Sequence, residues 1–224
     1  MKNKHWLIIA DGEPLPKETT KNLAASKKII ALDGALKVCL DYDIIPAICM
    51  GDFDSIDDDL MAYAKENYSI EFIKNTCQNS TDLEKALIYL ETIKSESITI
   101  CHATGWRLDH SLYNLRLLQR FHQKFNSLVL MTQLEKVYFI KDQTITLSGS
   151  KNDALALLSF PEARITSSGL KYDMNNFQLK HGVSESTSNA LENETAIIDV
   201  QGEVLLLISH QTQIRFNINS SRNY

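Results

Sequence analysis

The chain of 224 residues predicts an α/β unit followed by an all-β unit: an N-terminal, mostly parallel sheet with helices on both faces, then a C-terminal antiparallel β-sandwich. Three observations lead there. Up to about residue 130, short apolar runs alternate with amphipathic stretches long enough to be helices, the pattern of repeated βαβ units. Beyond about residue 133, strand-like runs follow one another closely and no convincing long helix appears. Gly149, Pro161, Gly169, Gly182 and Gly202 punctuate that second half. The expected domains are therefore 1–132 and 133–224, with no Pro/Gly linker at the join.

In chain order, the first domain is expected to hold strands at 6–10, 29–32, 47–50, 70–73, 98–101 and 128–131. Their near-continuous apolar character suits a parallel sheet buried on both faces. Helices are expected between them at 17–26, 34–42, 57–67, 82–94 and 109–122. The helix at 82–94 is the clearest, because Leu83, Ala86, Leu87, Leu90 and Ile93 follow the spacing of one buried face. Thr81 and Glu84 form a Thr-x-x-Glu capping box at its start, and Asp82 lies in the first turn, where the helix dipole favours negative charge. In the second domain, strands are expected at 137–140, 144–147, 154–160, 177–179, 196–200 and 204–208. The polar stretch 184–193 is expected to be an exposed loop.

Composition narrows the partners. Hydrophobic residues make up 44% and charged residues 23%, ordinary for a soluble chain that can bury a core without disulfides. The net charge is −5, and no Lys/Arg block exceeds two adjacent residues, which argues against a nucleic-acid partner because backbone binding needs clustered cations. Cys39, Cys49, Cys77 and Cys101 show no zinc-ligand spacing; Cys49 and Cys101 fall in apolar runs, where a thiol acts as a small hydrophobe. Asp11 interrupts the N-terminal apolar run too early for a signal peptide. No run of 18 apolar residues suggests a membrane span, so the cytoplasm is the expected location.

The segment Met50-Gly51-Asp52-Phe53-Asp54-Ser55 follows an apolar strand, and ligands of open α/β sheets collect at the carboxyl ends of strands. Asp52 and Asp54, two apart, can converge on one side of a bent loop while Phe53 turns into the core. Gly51 gives that loop conformational freedom. Hard carboxylate oxygens suit Mg²⁺, which shares one or two carboxylates with substrate phosphates. The alternative is an acidic turn and helix cap, since Asp57, Asp58 and Asp59 continue the acidic run. A calcium EF-hand loop fails, because the chain has Asp57 and Tyr63 where glycine and glutamate are required. Neither a Walker loop nor Gly-x-Gly-x-x-Gly is present, so a nucleotide would be held another way.

Four ordered segments sharpen this picture: Leu32-Asp33-Gly34-Ala35; Gly51-Asp52-Phe53-Asp54-Ser55-Ile56; Gln78-Asn79-Ser80-Thr81-Asp82 with Lys85-Ala86-Leu87; and Gly105-Trp106-Arg107-Leu108-Asp109-His110-Ser111-Leu112-Tyr113-Asn114-Leu115. Together they resemble the thiamine pyrophosphokinase family, and Gly169-Leu170-Lys171-Tyr172 with Ser188-Asn189 is similar to that family's C-terminal region. The resemblance implies ATP-dependent transfer of pyrophosphate to thiamine in a homodimer. It implies Mg²⁺ on Asp52, Asp54 and Asp82, which double as catalytic residues, with Asp33 and Gly34 close by. Arg107, Asp109, His110 and Asn114 would line the nucleotide side; Gln78, Tyr172, Ser188 and Asn189 would face thiamine. The chain departs from the family pattern at Ala35, Asn79, Trp106 and Ala190.

From the residues alone, other readings stand beside these. Arg107 and Asp109 could form a local ion pair, worth little if exposed. His110 could be a satisfied core or capping histidine, Asp82 a helix-start residue, and Tyr172 a sandwich-core tyrosine with its hydroxyl at the rim. Asp52-x-Asp54-Ser also resembles the first motif of haloacid-dehalogenase-type phosphatases, which use an aspartyl nucleophile. A transferase acting on another alcohol and a thiamine-binding dimer without turnover complete the alternatives.

Overall fold

Alternation of helix and strand builds the first unit directly. The computed structural model describes residues 4–76 and 79–217. Its elements run β1 (His5–Ile9), α1 (Lys17–Ala24), β2 (Lys28–Leu32), α2 (Ala35–Asp41), β3 (Ile48–Gly51), α3 (Asp58–Asn67), β4 (Glu71–Lys74), α4 (Asp82–Thr92), β5 (Ser97–Cys101), α5 (Leu108–Phe121) and β6 (Ser127–Met131). Every pairing among these six strands is parallel, in the order β6-β5-β1-β2-β3-β4. Leu7, Ile9, Ile29, Ala31 and Cys101 share one face of the sheet and pack with Ala35 and Cys39 of α2 and with Leu23 and Ala24 of α1. Cys49 continues the apolar layer with Leu36 of α2 and Ala64 of α3. The alternate residues Ile8, Ile30 and Ile100 are fully buried and point to the other face by strand periodicity. The remaining helices, α4 and α5, pack against β2, β3 and β6 and against each other. The thiols of Cys39, Cys49 and Cys101 are free and buried; Cys77 lies outside the described residues. Among the described residues, no helix is long and apolar enough to cross a membrane.

Contacts divide the chain between Gln133 and Leu134. The second unit holds β7 (Glu135–Ser148), β8 (Ala154–Ser168), β9 (Phe177–Lys180), β10 (Ser186–Ala190), β11 (Thr195–Ser209) and β12 (Gln213–Phe216), and its pairings are antiparallel. Strand β11 lies between β7 and β8. Along β8 the partner changes from β10 to β9. Two expected pairs of short strands are single long ones. Residues 137–140 and 144–147 both belong to β7, and 196–200 and 204–208 both belong to β11. The polar interruptions are a bulge rather than ends: Asp142 and Gly202 take φ of 46° and 103°, the pairing register shifts between Val200 and Glu203, and Gly202 N–H donates to Asp142 Oδ1 at 2.8 Å. The stretch expected to be a loop at 184–193 contains β10. Its backbone pairs with β8, a bond that does not need the apolar alternation that marks a half-buried strand.

Gly169 closes the turn after β8 with φ of 93°, and a Cβ added there would stand 2.4 Å from the Thr195 carbonyl oxygen. Gly169→Ala is expected to lower stability by about 2 kcal/mol or more, because both the backbone conformation and the backbone contact forbid a side chain. The midpoint of urea unfolding measures it; an unchanged midpoint would refute the close approach.

Candidate active site

Strand order fixes where a ligand can sit. The chain lays down β1 to β4 in one direction, then returns through α4 to place β5 on the other side of β1, so the reversal falls between β1 and β5. Ligands of such sheets bind outside the carboxyl ends of the strands at that reversal. The loops leaving β1, β2, β3 and β5, with the start of α4 and of α5, line one cleft of about 890 Å³. Asp11, Asp33, Asp52, Asp82, His102 and Arg107 all face it.

The carboxylates occupy its β2–β3 side. Asp33 takes a left-handed φ of 45°, its N–H donates to the Met50 carbonyl at 3.0 Å, and its Oδ1 is buried with no hydrogen-bond partner. Gly51 permits this: a Cβ there would lie 3.0 Å from that same oxygen. Phe53, at φ 68°, packs edge-on to Phe72 with ring centroids 6.0 Å apart, so its neighbours Asp52 and Asp54 are left on the outer side of the loop. Carboxylate oxygens of Asp33, Asp52 and Asp54 lie within 4.8 Å of one another. Asp57 is separate from them and caps α3, accepting from Asp59 N–H at 3.0 Å; cap and cluster are different parts of one acidic run. Asp11 adds a fourth carboxyl. Burial, then the charge of Asp33, push its pKa up, and Gly34 makes room for it, since a Cβ there would meet Asp11 Oδ2 at 2.5 Å. Crowded carboxylates with a buried, unpartnered oxygen can accept a cation.

Asp82 stands apart from that group. The resemblance implied a trio of Asp52, Asp54 and Asp82 with Asp33 beside it, whereas the compact trio contains Asp33. Asp82 faces the same cleft, but its Oδ1 accepts from Lys85 Nζ at 3.0 Å, one turn along α4. The buried Lys85 ammonium also donates to the Asn75 carbonyl at 3.1 Å. The capping box is half formed. Thr81 Oγ1 accepts from Glu84 N–H at 3.3 Å, while the buried Glu84 carboxylate turns to α5, accepting from Tyr113 Oη at 2.6 Å and Arg120 Nη1 at 2.5 Å.

On the β5 side, Arg107 precedes α5 and forms a two-pronged bond to Asp109, Nε to Oδ1 at 3.1 Å and Nη2 to Oδ2 at 2.6 Å. These bonds and the guanidinium charge bring the Asp109 carboxyl down to about 2. His110 is exposed and lines the cleft. Asn114 is buried and its Nδ2 donates to the Ala103 carbonyl at 2.8 Å, tying α5 to the loop that leaves β5. His102 begins that loop. Burial pushes its imidazole down to about 4, so it is neutral at neutral pH, with Nε2 3.1 Å from Thr20 Oγ1. Sequence reasoning missed Asp11, Gly12 and His102. A signal existed for the first two: Asp11-Gly12 and Asp33-Gly34 are the same dipeptide at the ends of successive parallel strands.

In the second unit, Asn189 is 4% exposed and clamps the backbone of Tyr172, whose N–H donates to its Oδ1 at 3.1 Å and whose carbonyl accepts from its Nδ2 at 2.9 Å. The Tyr172 ring itself is exposed, with Lys171 Nζ 5.4 Å from its centroid. Ser188 is exposed. Gln78 lies outside the described residues.

A parallel α/β unit with an acidic cleft at its strand ends, followed by an antiparallel β unit, defines the class of protein. The model of the thiamin pyrophosphokinase catalytic domain matches residues 19–130, and that of the thiamin pyrophosphokinase vitamin B1 binding domain matches residues 142–205. The chain belongs to the thiamin pyrophosphokinase family. It is 27% identical over 174 residues to thiamine pyrophosphokinase 1 of Arabidopsis thaliana, covering 73% of this chain and 65% of that one, so it spans just under two thirds of that plant relative. It is 25% identical over 182 residues to the thiamine pyrophosphokinase of Bacillus subtilis, covering 80% of this chain and 85% of that one. The crystal structure of the Bacillus subtilis thiamine pyrophosphokinase superposes with a TM-score of 0.80 at 24% identity, over 92% of this chain and 98% of that one; this establishes the shared fold.

Proposed function

We propose that this protein transfers a pyrophosphoryl group from ATP to the hydroxyl of thiamine, giving thiamine diphosphate and AMP. The observation that supports it best is the carboxylate group of Asp33, Asp52 and Asp54 within 4.8 Å at the strand ends. The donors fit a magnesium ion: they are hard oxygens, and Asp33 Oδ1 is buried with no other partner. Asp33, Asp52 and Asp54 would hold the ion, and Asp82, which lines the same cleft, would face the phosphates. Bound there, Mg²⁺ would neutralise the phosphate oxygens of ATP.

The chain's own residues do the remaining work. Arg107 and His110 offer donors to phosphate or ribose oxygens, and Asn114 keeps the β5 loop in place. Lys85 keeps a cation beside Asp82 at the start of α4. The thiamine hydroxyl oxygen bonds to the β-phosphorus, the bond from that phosphorus to the α–β bridging oxygen breaks, and AMP leaves with the electron pair. The hydroxyl proton passes to a carboxylate of the cleft. Little covalent chemistry is asked of the protein, so positioning and charge stabilisation supply most of the acceleration. The proposal extends to a homodimer in which Gln78, Tyr172, Ser188 and Asn189 face thiamine, the exposed Tyr172 ring suiting a cationic thiazolium. Asn189 acts there by holding the Tyr172 backbone.

The deciding experiment incubates the full chain with Mg-ATP and thiamine and follows AMP and thiamine diphosphate together. Equal amounts of both are expected. AMP without thiamine diphosphate would point to another acceptor, phosphate release with a trapped phospho-aspartate to a phosphatase, and thiamine binding without AMP to a protein that binds but does not turn over.

A further inference from the structure

Trp106 is 73% exposed, yet it lines the cleft. Its backbone has φ of 42°, beside Gly105 at 85°, a pair of left-handed residues that a tryptophan adopts only at a cost of strain. The loop that holds it is pinned from below. Gly12 and Glu13 N–H groups donate to the His102 and Thr104 carbonyls at 2.7 and 2.8 Å, and Gly105 sits so close to Glu13 that a Cβ would meet the Glu13 Cβ at 2.5 Å. Ser111 Oγ donates to the Gly105 and Arg107 carbonyls at 3.2 and 2.9 Å. A rigid backbone thus presents a large flat ring to the cleft with most of its surface uncovered.

Position along the cleft says what would cover it. The acidic group lies at the end of β3 and the Trp106 loop follows β5, with β2 and β1 between them. That is three strand spacings, about 14 Å, a separation an extended nucleotide spans from its phosphates to its base. Phosphates belong at the acidic, cation-requiring end, which leaves the base for the aromatic end. We propose that the Trp106 indole is the stacking face for the purine base of the nucleotide, and so a specificity-determining residue of this chain. This rests on the nucleotide reading of the cleft. Aromatic stacking supplies affinity through area and π-contact and tolerates different bases, so Trp106 sets a preference for a nucleotide over bare polyphosphate rather than for one purine over another.

Only Trp6 accompanies it in the sequence, and Trp6 is 4% exposed and shielded from added ligand, so a nucleotide-dependent change in intrinsic fluorescence reports mainly on Trp106. With the full chain and magnesium, ATP and GTP are expected to quench and shift the emission while tripolyphosphate leaves it unchanged. Trp106→Ala is expected to weaken ATP binding, measured by calorimetry, about tenfold or more, and Trp106→Phe to stay within about threefold, with both melting as the parent does. In the AMP assay the alanine variant should show a raised KM for ATP with kcat little changed. Unchanged ATP affinity in Trp106→Ala overturns the proposal, as does emission that follows protein concentration instead of nucleotide, the sign of an indole covered by another copy of the chain. The two readings fail separately: nucleotide quenching without any AMP release would sink the proposed activity and leave the stacking role standing.

Discussion

Replacing Asp54 by asparagine is expected to lower AMP release by a factor on the order of 10²–10³, the range for loss of one preorganised electrostatic group, with the unfolding midpoint within about a degree of the parent, as for surface substitutions generally. The two halves of that expectation come from different facts. Asp54 is exposed, and its bond from Ser55 Oγ at 3.2 Å can be accepted equally by an amide oxygen, so folding loses nothing. The lost charge, however, is one of three that converge within 4.8 Å, the group proposed above to hold the magnesium ion. Steady-state AMP formation at saturating thiamine, read beside a thermal melt, separates the effects. A variant that turns over as the parent does would remove the carboxylate group from the chemistry; one that melts early would make Asp54 a structural residue.

Periodicity made the first unit readable. Six apolar runs became six strands whose ends differ from the expected ones by at most one residue, because a strand buried on both faces must be apolar throughout and the helices between must show one apolar stripe. The second unit was less transparent. Asp142 and Gly202 look like turn residues in the sequence, and locally they behave as such, but the long-range pairing of β7 with β11 carries the chain straight through them. β10 was hidden for a related reason: its stability comes from backbone bonds to β8, and Ser186-Thr187-Ser188-Asn189 shows no apolar alternation. In the cleft, the Asp-x-Asp spacing announced two converging carboxylates, since Phe53 had to go inward. The third could not be read from spacing, as Asp33 enters only because β2 and β3 are neighbours and Gly51 lets them approach. The same holds for Lys85, which claims Asp82 through the geometry of one helical turn, and for Trp106, whose exposure no local pattern encodes.

Asp33→Asn should do two opposite things: abolish turnover and make the metal-free protein more stable. A buried acceptor without a partner costs about 1–3 kcal/mol, and Asp33 bears a second burden, since its charge helps to push the Asp11 carboxyl up. Asparagine removes the charge, offers an N–H donor toward the neighbouring carboxylates and tolerates the φ of 45°, because its short polar side chain suits the left-handed region. Relief of about 1–2 kcal/mol would raise the melting temperature by roughly 2–8 °C for a chain of this size. Magnesium makes the comparison decisive. A ligand that binds only the folded state stabilises it in proportion to the logarithm of its concentration over Kd, so millimolar Mg²⁺ should raise the parent's melting temperature and leave the variant's where it was. If the variant melts below the parent without metal, the unpartnered oxygen is not a cost to the fold. If magnesium lifts both alike, the ion does not sit among Asp33, Asp52 and Asp54. The expected pair of results would mark Asp33 as a buried carboxylate that weakens the empty fold and is satisfied only on loading, which is how a functional site differs from a structural one.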